Sequence, residues 1–389
     1  MNGRRVLPVL LAIGAGLSQT ASDAAGASAV RSADGFYAAA SRSVSPDAVR
    51  GANAITPLPF VRTEPDRPLA SFSLLSDIHI QQYDKTSHRL FMKALQDHYS
   101  IKPDANMLVL NGDLTNGEPA DFDTLRRLLD RVPHAPVHAT MGNHDYYRMW
   151  RHGDRYDYTR LGREWSSEKA VAQFTGFFGY AKPYHEAFAG GVPFLFMSGE
   201  AYRDADDSIA EDAYLSDAQL DWLEARLAEH RARRAAAGRD GRKPRIGAAS
   251  PDTAAEVGEG RSTAPAAKAP ALVFLHQPLP GTLDGTSAGL GVVQHERLRA
   301  ILERYPFAVL LSGHTHWDVE TTKQLWRGSF AAVGSGSVRS VYGADNEPVK
   351  PDKSESLFVD VYAGRLVIWA IDHGSGRWIG EPAVIAIED

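Results

Sequence analysis

The stretch PVHATMGNHD, residues 136–145, decides how this sequence is interpreted, because an extended apolar run leads directly into Gly142, Asn143, His144 and Asp145. By itself the end of this stretch is ordinary turn chemistry, since asparagine and aspartate hydrogen-bond their own backbone where strands end. It predicts either a plain turn with a solvated histidine or one part of a polar site. The choice depends on whether other strands deliver matching side chains.

Short apolar runs recur from residue 70 onward and alternate with amphipathic segments. The runs are residues 72–76, 107–111, 136–140, 193–198, 271–276 and 307–312. Unbroken apolarity over five or six residues predicts strands that are buried on both faces. Helical periodicity between the runs implies crossover connections and a layered α/β architecture. After residue 327 the runs follow one another with only short turns, which predicts a second, more antiparallel sheet that closes the sandwich.

Local signals place some of the helix starts. Apolar residues at 3.6-residue spacing predict helices around residues 90–98, 122–132 and 220–227. Asp121 is the expected N-cap of the second helix, and Ser216-Asp217-Ala218-Gln219 has the capping-box pattern before the third.

Composition limits the chemistry that this chain can perform. Its 389 residues are 43% hydrophobic and carry a net charge of −6, so a sizeable core is expected and no global basic field points to nucleic acid. The chain has no cysteine, which excludes thiolate metal sites and cysteine nucleophiles. Its 14 histidines are therefore the main supply of nitrogen ligands.

The chain divides into three parts and one insertion. Arg4 and Arg5 precede an apolar run over residues 6–17 and then small residues, which predicts a signal peptide over residues 1–27 and an exported, periplasmic or secreted protein. This run is too short to span a bilayer. Residues 28–68 are expected to form a linker or N-terminal arm, and residues 69–389 the main domain. Residues 231–270 lack apolar periodicity, which predicts a disordered insertion at the surface. The insertion is net basic, and a solvent-exposed loop without a binding role is favoured over contact with an anionic lipid or nucleic acid.

Five of the predicted strands end in side chains of a metal-binding type. The segments are Ser76-Asp77-Ile78-His79, Gly112-Asp113, Gly142-Asn143-His144-Asp145, His276, and Gly313-His314-Thr315-His316. In open α/β sheets, ligands collect at the carboxyl ends of the strands. Any one of these segments could be an ordinary turn, but their coincidence predicts one shared site.

The residue types indicate the chemistry of that site. Asp77 and His79 alternate along what is expected to be extended backbone, so both would point the same way, and His314 and His316 repeat the pattern. Asp113 is central enough to bridge two cations. Imidazole and carboxylate ligands without thiolate favour Mn, Fe, Zn, Ni or Co over Ca. Two such divalent ions can clamp a phosphate and activate a bridging hydroxide for in-line attack.

These five motifs, in this order, resemble those of the calcineurin-like metallophosphoesterases, over roughly residues 70–320. The resemblance implies an α/β fold in which two packed mixed β-sheets are flanked by helices, as a four-layer α/β/β/α sandwich. It implies that one metal ion binds Asp77, His79, Asp113 and His316, and that the other binds Asp113, Asn143, His276 and His314. By the same resemblance His144 faces the substrate and protonates the leaving group, and Asp145 orients His144.

Departures from two branches of the family narrow the expected substrate. Asn116 stands where purple acid phosphatases have a tyrosine ligand, and Thr140 and Met141 stand where protein phosphatases have an arginine. Small phosphodiesters or phosphomonoesters remain as substrates, and the natural one is left open, as are the native metals and the oligomeric state. Tyr146 and Tyr147 line the substrate mouth or pack in the core. The alternative function is a metal-binding scaffold of the same fold with little or no hydrolytic activity.

Overall fold

The structure, a computed structural model, describes residues 67–239, 268–287 and 289–387, and these residues build two large mixed β-sheets. The strands among the described residues are β1 (Ala70–Leu75), β2 (Met107–Asn111), β3 (Val137–Thr140), β4 (Arg151–His152), β5 (Arg155–Tyr156), β6 (His185–Ala189), β7 (Val192–Phe196), β8 (Ala271–Phe274), β9 (Ala308–Ser312), β10 (Leu325–Arg327), β11 (Ala331–Gly334), β12 (Glu355–Tyr362), β13 (Arg365–Asp372) and β14 (Arg377–Ala386). The six predicted apolar runs all correspond to strands.

The first sheet has the order β14-β13-β12-β1-β2-β3, with β1, β2 and β3 parallel. The C-terminal strands are antiparallel as predicted, but the expectation that they form the second sheet is wrong. β12 pairs with β1 from Ala70↔Val361 to Leu74↔Leu357 and so extends the first sheet. All eight residues of β12 are buried, and a strand buried on both faces belongs inside a large sheet rather than at the edge of a covering one.

The second sheet has the order β10-β11-β9-β8-β7-β6, and its four central strands are parallel. The inner faces of the two sheets pack on each other through aromatic rings. The Phe72 ring lies 5.2 Å from that of Phe194 and 5.7 Å from that of Phe274, both edge to face. This interdigitation forms the central core of the sandwich.

Helices cover the outer faces of both sheets. The helices are α1 (Lys85–Ile101), α2 (Pro119–Leu129), α3 (Ser167–Phe178), α4 (Asp217–Arg239) and α5 (His295–Glu303). Leu90 and Leu125, from α1 and α2, share a core with Leu110 of the first sheet. Leu220 of α4 shares another with Val273 of the second. The predicted four-layer α/β/β/α sandwich of two mixed sheets is confirmed. Among the described residues, no helix has both the length and the hydrophobicity that crossing a membrane requires.

One of the two predicted helix starts differs in the structure, and the other is confirmed. α2 begins at Pro119 with Glu118 as its N-cap, so Asp121 lies inside its first turn and accepts a hydrogen bond from the Gln82 N–H instead (2.8 Å). Proline at the first helical position fixes the entry dihedral without losing a hydrogen bond, which explains the earlier start. At α4, Ser216 Oγ accepts from Gln219 N–H as predicted (3.2 Å).

The predicted insertion begins too early, because α4 continues through residues 231–239. This segment is rich in alanine and arginine, both strong helix formers, and needs no apolar stripe of its own. The guanidinium groups of Arg231 and Arg234 lie over the rings of Tyr305 and Phe307, at 4.9 and 4.7 Å from the ring centroids. Residues 240–267 of the insertion, the predicted signal peptide 1–27 and residues 28–66 of the predicted arm lie outside the described residues.

Candidate metal centre

The carboxyl ends of β1, β2, β3, β8 and β9 meet at one edge of the sandwich. Asn111, the last residue of β2, joins the two sheets there, because its Nδ2 donates to the carbonyl of Leu311 in β9 (3.1 Å). Its own carbonyl accepts a hydrogen bond from Nδ1 of His276 (2.7 Å). The strand ends therefore bring all five motifs into one buried region.

Two clusters of candidate ligands form at this edge, and both contain Asp113. The first consists of Asp77, His79, Asp113 and His316, and the second of Asp113, His276 and His314. Within each cluster one ligand atom from every residue lies within 4.8 Å of the others. A carboxylate that is common to two clusters is the arrangement expected of a bridging ligand.

The first cluster is compact. His316 Nε2 lies 3.1 Å from Asp77 Oδ1 and 3.1 Å from His79 Nε2. His79 Nε2 is also 3.7 Å from Asp113 Oδ2. These four side chains are almost completely shielded from solvent. Their nitrogen and oxygen atoms point at a common centre.

The second cluster lies on the other side of Asp113. His276 Nε2 is 3.3 Å from Asp113 Oδ1, so the two oxygens of this carboxylate face different clusters. The ring of His314 is 5.3 Å from that of His276. Asn143 is buried beside them, and its Nδ2 donates to Glu211 Oε2 (2.9 Å).

Backbone carbonyls fix the tautomers of two of the histidines. His276 Nδ1 donates to Asn111 O, and His316 Nδ1 donates to Ser340 O (2.7 Å), with Ser337 Oγ 3.2 Å from the same nitrogen. A neutral imidazole that donates from Nδ1 has a bare lone pair on Nε2, which is the form that binds a metal ion. No sequence motif marks Ser337 or Ser340, so the sequence alone does not predict that they orient His316.

Several buried polar atoms at this edge have no hydrogen-bond partner among the described residues. They include Asn143 Oδ1 and both ring nitrogens of His314. Leaving such atoms unpaired inside a protein is costly, and a bound cation would satisfy them. The donor set, with imidazole nitrogens, carboxylates and one amide oxygen, therefore fits a divalent metal ion.

The charges at the centre are arranged around the carboxylates of Asp77 and Asp113. Burial opposes ionisation of Asp77, but the imidazoles of His316 and His276 outweigh it and lower its pKa to about 2. Burial also disfavours the charged form of His276, yet Asp113 and Asp77 raise its pKa to about 9. Burial and the charge on His276 lower the pKa of His314 to about 3. Asp77 and Asp113 thus stay ionised and favour positive charge beside them, which is either a proton on His276 or a metal cation that takes the place of that proton.

Five of the predicted ligands have left-handed backbone, which corrects the prediction that Asp77 and His79 alternate along extended backbone. The φ angles are 55° for Asp77, 44° for His79, 51° for Asp113, 70° for His314 and 57° for His316. Such conformations cost roughly 1–3 kcal/mol each and gather where function requires them. Sharp loops after the strands, rather than strand alternation, aim these side chains at the centre.

The motif glycines serve two different purposes. Gly112 has a φ of 80° and so needs the freedom of glycine. Gly142 and Gly313 are required for close approach instead. A Cβ on Gly142 would collide with Asp113 and His276, and one on Gly313 would collide with Ser76 and lie 2.6 Å from Asp77 Oδ2.

His144 lies at the rim of the centre, with 18% of its side chain exposed. Its backbone N–H donates to Asp113 Oδ1 (2.9 Å), and its Nε2 is 4.0 Å from Asp113 Oδ2. Its Nδ1 is 3.3 Å from Asn116 Oδ1. Burial lowers the pKa of His144, and the carboxylate of Asp113 opposes this. A partly exposed imidazole beside the ligands suits a group that meets the substrate.

Asp145 does not orient His144, which corrects its predicted role. Its oxygens accept hydrogen bonds from the N–H groups of Leu114 (3.3 Å), Thr115 (2.9 Å) and Gly142 (3.0 Å). Successive residues of the 3₁₀ helix His144–Trp150 point in different directions, so the two side chains diverge. Asp145 ties the loop after β2 to the loop after β3. The polar partner of His144 Nδ1 is Asn116 Oδ1 instead.

The two tyrosines that follow have different positions. Tyr146 is a core residue whose hydroxyl donates to the Gly199 carbonyl (2.7 Å). Tyr147 stacks on His144 with ring centroids 3.8 Å apart. Core packing is the outcome for Tyr146, whereas Tyr147 is partly buried, packs against the same core and contacts His144.

Comparison with known proteins agrees with this geometry. The sequence profile of the family described as calcineurin-like phosphoesterase matches residues 71–318. A dimetal phosphatase from Danio rerio has a similar fold, with 14% identity over 83% of this chain and 100% of that chain and a TM-score of 0.53. A purple acid phosphatase from yellow lupin (Lupinus luteus) seeds shows 14% identity over 82% of this chain and 55% of that chain, with a TM-score of 0.51. No curated protein sequence matches significantly. The chain belongs to the calcineurin-like phosphoesterase family and is a metal-dependent phosphoester hydrolase.

Proposed function

We propose that this protein is an exported phosphoesterase that holds two divalent metal ions and hydrolyses small phosphodiesters or phosphomonoesters. The observation that carries the proposal is the pair of ligand clusters that share Asp113. Asp77, His79, Asp113 and His316 would hold one ion. Asp113, Asn143, His276 and His314 would hold the other.

Two bound divalent ions would supply an activated water and neutralise charge on the phosphoryl oxygens. The chain's own residues then have two tasks around the candidate ligands. The carbonyls of Asn111 and Ser340 hold His276 and His316 in the tautomer that leaves Nε2 free. Asp145 holds two of the ligand loops together.

His144 is the residue that we propose as the proton donor. It lies beside Asp113 on the partly exposed side, where a phosphoester would enter. Asn116 Oδ1 accepts a hydrogen bond from the N–H at Nδ1 of His144. In the imidazolium form, Nε2 carries the proton that would be transferred to the leaving oxygen. Tyr147 stacks on the ring and keeps it in this orientation.

Hydrolysis of bis(p-nitrophenyl) phosphate by the metal-free protein, with and without added Mn²⁺, tests the proposal. We expect turnover only with the metal. Profiling against monoesters, cyclic nucleotides, glycerophosphodiesters and nucleotide sugars would then identify the substrate class. Metal binding without turnover on any of them would favour the scaffold function.

Export rests on the residues at the start of the sequence, where Arg4 and Arg5 precede the short apolar run and small residues. Mass spectrometry of the protein expressed in a bacterial host with its full N-terminus provides the test. A mature chain in the periplasm or medium that begins near residue 28 is the expected result. An intact N-terminus on protein confined to the cytoplasm would contradict export.

A further inference from the structure

Glu211 lies on the loop between β7 and α4, on the far side of Asn143 from the metal ligands. Its Oε2 accepts a hydrogen bond from Asn143 Nδ2 (2.9 Å). We propose that Glu211 is a positioning residue that turns the Asn143 amide oxygen toward the second metal site. This inference rests on the proposed function, because it takes Asn143 as a ligand of that site.

The argument begins with the asymmetry of an amide group. Asparagine carries an acceptor oxygen and a donor NH₂ of nearly the same shape, so rotation by 180° exchanges them. The two oxygens of Glu211 accept hydrogen bonds from two tyrosine hydroxyls and a guanidinium group, so Glu211 presents an acceptor to Asn143 and faces its NH₂ group. The oxygen, Oδ1, then faces the opposite way, where it is buried and has no partner among the described residues. That orientation is the one in which Asn143 can bind a cation.

Glu211 is itself firmly held. Oε1 accepts hydrogen bonds from the Tyr202 hydroxyl (2.8 Å) and from a guanidinium nitrogen of Arg203 (3.2 Å). Oε2 accepts from the Tyr147 hydroxyl (3.2 Å) in addition to Asn143. With four donors on two oxygens, the carboxylate has one well-defined position, and so does the amide that it orients.

The same carboxylate is also connected, through Tyr147, to His144, the proposed proton donor. The Tyr147 ring that it anchors through the hydroxyl stacks on His144, with ring centroids 3.8 Å apart and planes 27° apart. Glu211 therefore connects a candidate metal ligand with the candidate acid. No sequence motif marks it, since it stands in a loop that is distant along the chain from the five ligand segments.

Glu211→Gln is the direct test, because a carboxamide has one acceptor oxygen in place of two and can present an NH₂ group to Asn143. We expect weaker binding at the second site by roughly 10–100-fold, the usual effect of losing a partner that orients a metal ligand. The first site, which does not include Asn143, should keep its affinity.

The measurement is calorimetric titration of the metal-free protein with Co²⁺, which requires no turnover. The matched control is Glu200→Gln on the same loop, where the carboxylate bonds Ser216 N–H (2.7 Å) and Gln219 Nε2 (2.8 Å) and contacts no candidate ligand. This control should bind two equivalents normally. The double variant N143D/E211Q exchanges donor and acceptor across the pair, and should bind the second equivalent more tightly than E211Q does.

Unchanged affinity for both equivalents in E211Q would overturn the inference, as would equal weakening in E211Q and E200Q. If E211Q fails to fold, Tyr202→Phe removes one hydroxyl donor to Glu211 while keeping the ring, and it should weaken binding of the second equivalent alone. Two normal equivalents in that variant would also overturn the inference. Failure of the wild-type protein to bind two equivalents would refute the proposed function instead.

Discussion

The backbone N–H of His144 donates to Asp113 Oδ1 at 2.9 Å, so the candidate proton donor is attached to the carboxylate that both ligand clusters share. The bond forms through the backbone, and it leaves the imidazole free to face the substrate. Substitution of the His144 side chain should therefore remove the acid without disturbing the centre.

His144→Ala should keep both metal ions and lose rate by about 10²–10⁴-fold, the usual value of a positioned acid. The loss should be largest for alkyl leaving groups, which need a proton, and smallest for p-nitrophenolate, which leaves without one. Measuring metal content and kcat across a leaving-group series checks this, with His152→Ala in β4 as the control. An equal loss of kcat on every substrate, with both metal ions still bound, would contradict the role of His144 as the acid.

Gly142→Ala should weaken metal binding, because the added Cβ would collide with Asp113 and His276. We expect at least a 10-fold loss in affinity, the lower end of what displaced ligands cause. Equilibrium dialysis against Mn²⁺ measures it. Gly176→Ala on α3, where a Cβ meets nothing within 4 Å, is the control and should bind normally. Normal affinity in the Gly142 variant would show that the loop relaxes at no cost.

A half-buried histidine pair should make the protein sensitive to acid. His138 Nδ1 lies 3.1 Å from His185 Nε2, and burial lowers the pKa of His138 to about 4 and that of His185 well below its usual value. Because an unfolded histidine has a pKa near 6.5, the unfolded chain binds more protons than the folded one between these values. Stability is therefore complete above pH 6.5 and falls as the pH drops toward 4.

For His138 alone the loss between pH 7.5 and pH 5 should be about 2 kcal/mol in the free energy of unfolding. Urea denaturation at the two pH values measures it, and His138→Phe should lose correspondingly less stability than the wild type. His134→Phe, on the loop before the same strand, controls for removal of any histidine. An identical pH dependence in the wild type and His138→Phe would contradict the account.

Replacement of residues 241–266 with a short Gly-Ser link should leave folding and turnover nearly unchanged. The entropy of loop closure changes by only about 0.6 kcal/mol for each doubling of length. Thermal unfolding and turnover of p-nitrophenyl esters check both expectations. A collapse of turnover with the metal ions still bound would mean that the insertion contributes to the site.

The sequence predicts which side chains meet at this edge, because each follows a strand whose burial is visible as an unbroken apolar run. It does not predict how they are aimed. Asp77 and His79 have left-handed backbone, which aspartate and histidine adopt more often than most residues but which the strand-like pattern of the sequence does not indicate. Glu211 and Ser340 were missed because they act through contacts between distant loops. The membership of β12 in the first sheet is likewise a non-local pairing that periodicity does not reveal.

Metal content of the wild-type protein and of Asp113→Asn tests the central claim most directly. The wild type, reconstituted with Mn²⁺ and desalted, should retain two equivalents by elemental analysis. Asp113→Asn should lose both, because a neutral amide cannot hold two cations with two oxygens, while Asp123→Asn on the exposed face of α2 should retain both. Two tightly bound equivalents in Asp113→Asn would contradict the bridging role and the shared centre built on it.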